Sequence, residues 1–453
     1  MRWRLLAFFL VITTGLGIVQ IVVPKVITSR TRVITTLASI ICPVSAGGAS
    51  VAIGGYGARV SPIGKLPKGV KDVGFTTSKE VTVARISAAA HLVEKSVGGA
   101  TQIDTASGLA GLACPSVETS YWFVGGSAAL SSQDRLVLVN AGHGDATATV
   151  LAWGDKGAVP AYPVVVPAQT SIRVGLDSIA PGVSEIVIHV LVQSGRISAS
   201  LYDQRAQGLT NLGSDFVPPG IDPAKRFVVL GVPGMRPTSK ASAKTPTSKP
   251  INEVRVLRLL APITAASVRV DVIGDGDSFT PLGLDKIELT PGKVRDISVT
   301  TALPSPAYAF VVSADSPVVA GVFSSVIVGK GSDIAWSASA PSLSAGVAST
   351  DFDGTTYLFY SHTAVRVQIT TIRSGAIPIT SRLAIPAGGV VSWSPSKLGN
   401  GAIAIRARAT AGAFYVARLL RTSKGITTSP LRPVTVSGRS IIPIADVGVG
   451  MPR

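Results

Sequence analysis

Apolar and polar positions alternate with a period of two along much of this chain, and one arrangement of alternating runs occurs three times. The first copy reads VLVNAGHGDATATVLAW, VVVPAQTSIRV and SEIVIHVLVQSGRISASLYD. The second reads VLRLLAPITAASVRVDVIG, IELTPGKVRDISV and YAFVVSADSPVVAGVFSS. The third reads LFYSHTAVRVQITTIRSG, LAIPAGGVVSW and AIAIRARATAGAFYVARLL. Each contains a Pro-Ala or Pro-Gly turn, at Pro167, Pro291 and Pro386, and a later strand of small residues near Ala199, Ala320 and Ala417. In ATATVLAW, Thr147, Thr149 and Leu151 share one face while Ala148, Val150 and Ala152 share the other, the pattern of a strand with one face on a core. Short strands about ten residues apart, separated by turn residues, predict an all-β chain of tandem immunoglobulin-like antiparallel β-sandwich modules. The copies are too few and too uneven for propeller blades. Beyond the N-terminus, no segment longer than about eight residues has helical apolar spacing.

The copies place module 1 at 121–233, module 2 at 251–345, and module 3 with C-terminal strands at 346–453. Residues 234–250, GMRPTSKASAKTPTSKP, have no large apolar side chain except Met235 and read as an exposed linker. Residues 31–120 do not match the repeat and read as a separate N-terminal region. RLVLV and ATATVLAW are expected to pair as a hairpin across NAGHGD. YWFVGG reads as the opening strand of module 1, with a tight bend after it.

Residues 1–30 begin MRWRLLAFFLVITTGLGIVQIVVPK, uncharged from Leu5 to Pro24. About twenty such residues can cross a bilayer as a helix, and no small-residue cleavage site follows Val23. The expectation is a single-pass transmembrane helix that anchors the chain, with a cleaved signal of atypical site as the alternative, and in either case the bulk of the chain outside the cell membrane. In that setting Cys42 and Cys114 are expected to form a disulfide.

Charged residues make up 15% of the chain, against roughly 25% in a typical soluble protein. Lys and Arg number 42 and Asp and Glu 25, a net charge of +17, which favours anionic partners. Arg366, Arg373, Arg382, Arg406, Arg408 and Arg418 concentrate in module 3 and are the candidate polyanion-binding residues; Arg406 and Arg408 share one strand face. Nucleic acid is not expected, since the chain is exported and has no recognition motif. GDGDS and DFDG lack the ligand spacing of a calcium loop and read as turns. Four histidines in unrelated contexts assign no metal, and no cofactor is expected. There is no Gly-x-Ser-x-Gly and no paired-carboxylate pattern, so no catalytic residue is assigned and the chain reads as a non-enzyme.

The feature order resembles a family of actinobacterial membrane-anchored envelope proteins of unknown function. The resemblance rests on the membrane segment, the Cys-Pro region, Tyr121 to Gly126, Asn140 to Gly142, Val166 to Ala168, and SPVVAG at Ser316 to Gly321. Modules 2 and 3 depart from it, with LAPIT and YSHTA where module 1 has its Asn-x-Gly turn. The resemblance implies location and architecture and no chemistry. The expected role is structural or binding, at the membrane, with an anionic cell-wall polymer or an envelope membrane protein as partner. The alternatives are an accessory scaffold of a cell-wall glycosyltransferase or export system, and an extracellular hydrolase with a site formed between modules.

Overall fold

The computed structural model describes residues 40–43, 49–54, 59–62, 75–76, 81–86, 91–94, 100–235, 253–329, 331–344, 346–373, 376–395 and 403–433, together with 31–36 and 438–443. Residues 1–30, where the membrane helix is expected, lie outside the described residues. Among the described residues no helix is long and apolar enough to cross a membrane. Two units divide the chain: Met1–Thr36 with Ser437–Arg453, and Leu37–Val436.

The first unit holds β1 (Thr31–Thr36). The second opens with an N module made of β2 (Ile40–Cys42), β3 (Ala49–Gly54), β4 (Arg59–Pro62), β5 (Phe75–Thr76), β6 (Val81–Ile86), β7 (His91–Glu94), β8 (Ala100–Asp104) and β9 (Ala110–Ala113). Module 1 contains β10 (Ser120–Phe123), β11 (Arg135–Asn140), β12 (Ala146–Gly154), β13 (Gly157–Val166), β14 (Ser171–Gly175), a one-turn helix α1 (Leu176–Ile179), β15 (Val187–Ser194), β16 (Ile197–Gln207) and β17 (Thr210–Val217). Module 2 contains β18 (Ala224–Met235), β19 (Val254–Leu260), β20 (Ala266–Ile273), β21 (Ser278–Phe279), β22 (Ile287–Leu289), β23 (Val294–Ser298), β24 (Leu303–Val328) and β25 (Gly331–Ala340). Module 3 contains β26 (Val347–Asp351), β27 (Thr355–Ser361), β28 (Val365–Arg373), β29 (Ile379–Ile385), β30 (Gly389–Trp393), β31 (Ile403–Ala409), β32 (Tyr415–Thr422) and β33 (Gly425–Pro430). Last, β34 (Gly438–Pro443) pairs antiparallel with β1 in the first unit, so this C-terminal strand lies outside module 3.

All four modules share one strand order. In module 1 the sheets run β10-β15-β12-β13 and β14-β11-β16-β17; in module 3 they run β26-β31-β28-β29 and β30-β27-β32-β33. The N module repeats this as β2-β7-β4-β5 and β6-β3-β8-β9. The described strands from Ile40 to Ala113 are therefore a further copy of the repeat, not part of a separate non-repeat region. Their strands are short, two to six residues each, which leaves too little alternation for the repeat to be visible in sequence. In module 2 the long β24 serves as sixth strand against β18 and β20, then crosses to the other sheet as seventh strand against β19 and β25. The sheets are antiparallel and packed as sandwiches, but the order differs from the ABED and CFG sheets of an immunoglobulin constant-type domain.

The repeated sequence elements have fixed places. Pro167, Pro291 and Pro386 all sit between the fourth and fifth strands. Ala199, Ala320 and Ala417 all lie on the seventh strand, fully buried, opposite Leu138, Leu259 and Leu358 of the second. Two boundaries differ from expectation. β18 pairs within module 2 and takes in Gly234 and Met235, so the rest of the expected linker, 236–250, falls between the first and second strands of one module, not between modules. β11 and β12 lie in opposite sheets, so NAGHGD is a crossing between sheets rather than a hairpin. The reason is Asn140, fully buried, whose Nδ2 donates to Gly144 O (2.8 Å) and Val166 O (3.0 Å) while Oδ1 accepts from Gly142 N (2.8 Å). That side chain ties the crossing to the Pro167 turn and replaces backbone pairing.

The four sandwiches close on one another. The first-strand edge of each first-to-fourth-strand sheet packs on the opposite sheet of the next module. Ile41 meets Val137 and Val139. Trp122, Val124 and Val187 meet Leu260, Val294 and Val319. Val228, Ala309 and Val311 meet Leu358, Ala417 and Leu419. Module 3 returns to the N module, where the Thr101 hydroxyl donates to Thr350 O and Leu109 packs against Leu420. The Cys42–Cys114 disulfide, with Cα atoms 4.7 Å apart, joins the first strand of the N module to the end of its last.

Candidate functional site

Two places concentrate charged side chains. The first is the axis where the last strands β9, β17, β25 and β33 meet. Asp333, at the start of β25, is fully buried, and its carboxylate accepts backbone N–H bonds from Leu109 (3.1 Å), Ser214 (3.3 Å) and Ile426 (3.0 Å), one from each other module. Ile334 N of its own strand donates as well. The residues preceding these four amides are Gly108, Gly213, Asp333 and Gly425, and the three glycines crowd the Asp333 side chain. A Cβ on Gly213 would lie 2.5 Å from Asp333 Oδ1, and its φ of +123° favours glycine as well. The axis thus has room for one side chain at this level.

The next level repeats the device with Asp215, also fully buried. It accepts from Gly111 N (3.2 Å), Phe216 N (2.9 Å) and Trp336 N (3.1 Å), with Thr427 Oγ1 at 2.8 Å. Burial pushes the Asp333 carboxyl up to about 6 despite its four amide donors, and pushes Asp215 well above the usual range. Neither residue stood out in the sequence, because each is a lone acid within a strand.

The second place is the outer face of β28, β29 and β31. Cross-strand register puts Arg408 opposite Gln368, Gln368 opposite Arg382, and Arg406 opposite Thr370, with Arg366 two residues along β28 from Gln368. Arg366, Arg382, Arg406 and Arg408 are all exposed, while Ala407, Val367 and Ile369 point to the core. No carboxylate occurs among the described residues of these three strands. The other two candidate arginines do not join them. Arg418 is fully buried on the core side of β32, 3.3 Å from Asp351, with its Nε donating to Ser429 Oγ at 2.5 Å. Alternation gave its parity but not that both faces of this strand are covered. Arg373 is half-buried and donates to Pro395 O (3.3 Å).

Two further constellations bear on catalysis. Ser120 Oγ lies 3.0 Å from His189 Nε2 and donates to Asp222 Oδ1 (3.1 Å), so the hydroxyl stands between imidazole and carboxylate. A nucleophile–base–orienter chain needs the histidine in the middle. The His189 ring stacks on Trp122 with centroids 4.0 Å apart, and burial lowers it to about 4. Between modules 1 and 2, a cavity of about 260 Å³ is lined by Glu185, Asp296, Arg205, Arg258, Phe323 and Trp336 among others. Asp296 is held through both oxygens by Arg258 (2.8 Å each), and Asp203 by Arg205 (2.5 and 2.8 Å) and Trp336 Nε1 (2.7 Å). These groups fasten the modules; with Asp296 so bound, the cavity does not pair two free carboxylates. No group of three or more metal-ligating side chains occurs among the described residues. GDGDS forms a turn closed by Gly274 N to Asp277 O (2.7 Å), and the first Asp of DFDG is Asp351 of the core.

A solved structure described as a tetra-tandem repeat in the extending region of a large adhesion protein aligns with 89% of this chain and 94% of its own, at 10% identity. Its TM-score of 0.11 is too low to bear on fold or role. No curated protein matches the chain. A family profile matches residues 75–396, from within the N module to within module 3 and so across most of the repeated architecture. The chain belongs to that family, the family of unknown function DUF5719.

Proposed function

We propose that this chain is a binding or structural protein of the cell envelope, without enzymatic activity, held at the membrane by its N-terminal segment. Its β-sandwich modules present the module 3 face to an anionic wall polymer. One observation carries the reading: four exposed guanidiniums on β28, β29 and β31, with no carboxylate among the described residues of those strands. Guanidinium is the side chain best suited to bidentate recognition of phosphate or carboxylate. The charged groups at the axis and between modules 1 and 2 are occupied in holding modules together, which supports a rigid scaffold carrying an open charged face. Service to a cell-wall glycosyltransferase or export system would use the same face on a different partner. The test is co-sedimentation of the full chain with isolated cell wall. Binding should weaken steeply as salt rises, because exposed charges are screened within about 10 Å at 0.1 M. Absent or salt-insensitive binding would overturn the proposal.

A further inference from the structure

The four arginines do not converge. Strands in a sheet lie about 4.8 Å apart and residues i and i+2 about 6.7 Å apart. By the observed register, Arg406 and Arg408 are neighbours along β31, Arg408 and Arg366 are diagonal across β31 and β28, and Arg366 and Arg382 are diagonal across β28 and β29. Diagonal neighbours stand about 7–8 Å apart. No two of these arginines are directly opposed on paired strands, so they are spread at regular intervals along the face instead of gathered at one point. Gln368, Thr370 and Thr380 fill the intervening positions and add uncharged hydrogen-bonding groups.

From this geometry we infer that the face takes a linear polyanion with one negative charge about every 7–8 Å, laid along a zigzag path over Arg406, Arg408, Arg366 and Arg382. This rests on the polyanion-binding reading above and narrows it. An isolated phosphate engages one guanidinium at a time. A chain of phosphates that share oxygens crowds its charges closer than the arginines stand. A polymer of phosphodiesters separated by a three-carbon alcohol matches the spacing, and each diester can take one planar guanidinium fork.

The experiment measures binding of the full-length protein, by calorimetry across a salt series, to three probes: a short poly(glycerol phosphate), a linear polyphosphate of equal total charge, and inorganic phosphate. The poly(glycerol phosphate) should bind about 100-fold more tightly than inorganic phosphate, since later contacts become intramolecular. It should also bind severalfold more tightly than polyphosphate. Its log–log salt slope should lessen by about 0.7 for each of Arg366→Gln, Arg382→Gln, Arg406→Gln and Arg408→Gln. Arg173→Gln removes an exposed arginine from module 1 and should leave the slope unchanged. Equal affinity for the two polymers would overturn the spacing inference while leaving polyanion binding intact. No binding to either polymer would overturn both. An equal effect of Arg173→Gln and Arg408→Gln would show attraction to net charge alone and would overturn the assignment to this face.

Discussion

Asp333 and Arg408 both sit on β-strands of adjoining modules. The first is fully buried, encircled by amides from all four modules, while the second stands in solvent among other cations. Their surroundings explain the difference. At the axis, three glycines withdraw their side chains and leave four backbone donors aimed at one point. Such donors need an acceptor, and a single carboxylate supplies it. On the outer face each arginine has water, and nothing there needs its charge. The same division runs through the molecule. Among the described residues, Asp104, Asp134, Asp203, Asp215, Asp333 and Asp351 are buried, against Arg255, Arg258 and Arg418 among cations. Among these residues acids go inside more often than cations, which leaves their exposed surface richer in positive charge.

If the axis is structural and the outer face is not, substitutions should separate them. Asp333→Ala strands the Leu109, Ser214 and Ile426 amides and should destabilise the chain by about 5 kcal/mol in denaturant titration, since each buried orphan donor costs about 1–3 kcal/mol. Gly213→Ala forces a Cβ against Asp333 at a backbone angle that L-residues avoid, and should cost about 3 kcal/mol by the same measurement. A smaller effect is pH-dependent. With Asp333 near 6 when folded and about 4 when unfolded, the folded protein holds this proton more tightly. The matching stability is complete below pH 4 and lost as pH rises through 6, so the advantage of the native chain over Asp333→Ala should be about 2 kcal/mol larger at pH 4 than at pH 7. Parallel thermal melts across that window test the sign, and a larger advantage at pH 7 would contradict it. Last, joint replacement of Arg366, Arg382, Arg406 and Arg408 by Gln should move stability by no more than about 0.5 kcal/mol per position, the usual range for a surface change, while abolishing polyanion binding. A large loss of stability would mean that the outer face is also structural.

Much of the architecture was legible because period-two alternation reports strands directly, and because the Pro167, Pro291 and Pro386 turns and the small residues at Ala199, Ala320 and Ala417 are local features. The axis was not legible. Asp333 gains its meaning from amides 93, 119 and 224 residues away, and sequence spacing does not record such contacts. The N module escaped notice because strands as short as Phe75–Thr76 carry no period. NAGHGD looked like a hairpin turn because Asn and Gly suit one, yet the Asn140 side chain bonds across to Val166 instead. Arg406 and Arg408 were placed on one face correctly by parity. Parity could not tell that the Arg418 face of β32 would be enclosed with Asp351 as its partner.

The axis also bears on how such a molecule can be assembled. Four copies of module 2 arranged the same way would bring four carboxylates into the space that holds one. Four copies of any other module would leave a ring of amides facing glycines with no acceptor. Neither homotetramer satisfies the centre, so this arrangement favours unlike modules joined in a single chain. One module could not reproduce it by self-association, because the centre needs one carboxylate and three glycines together.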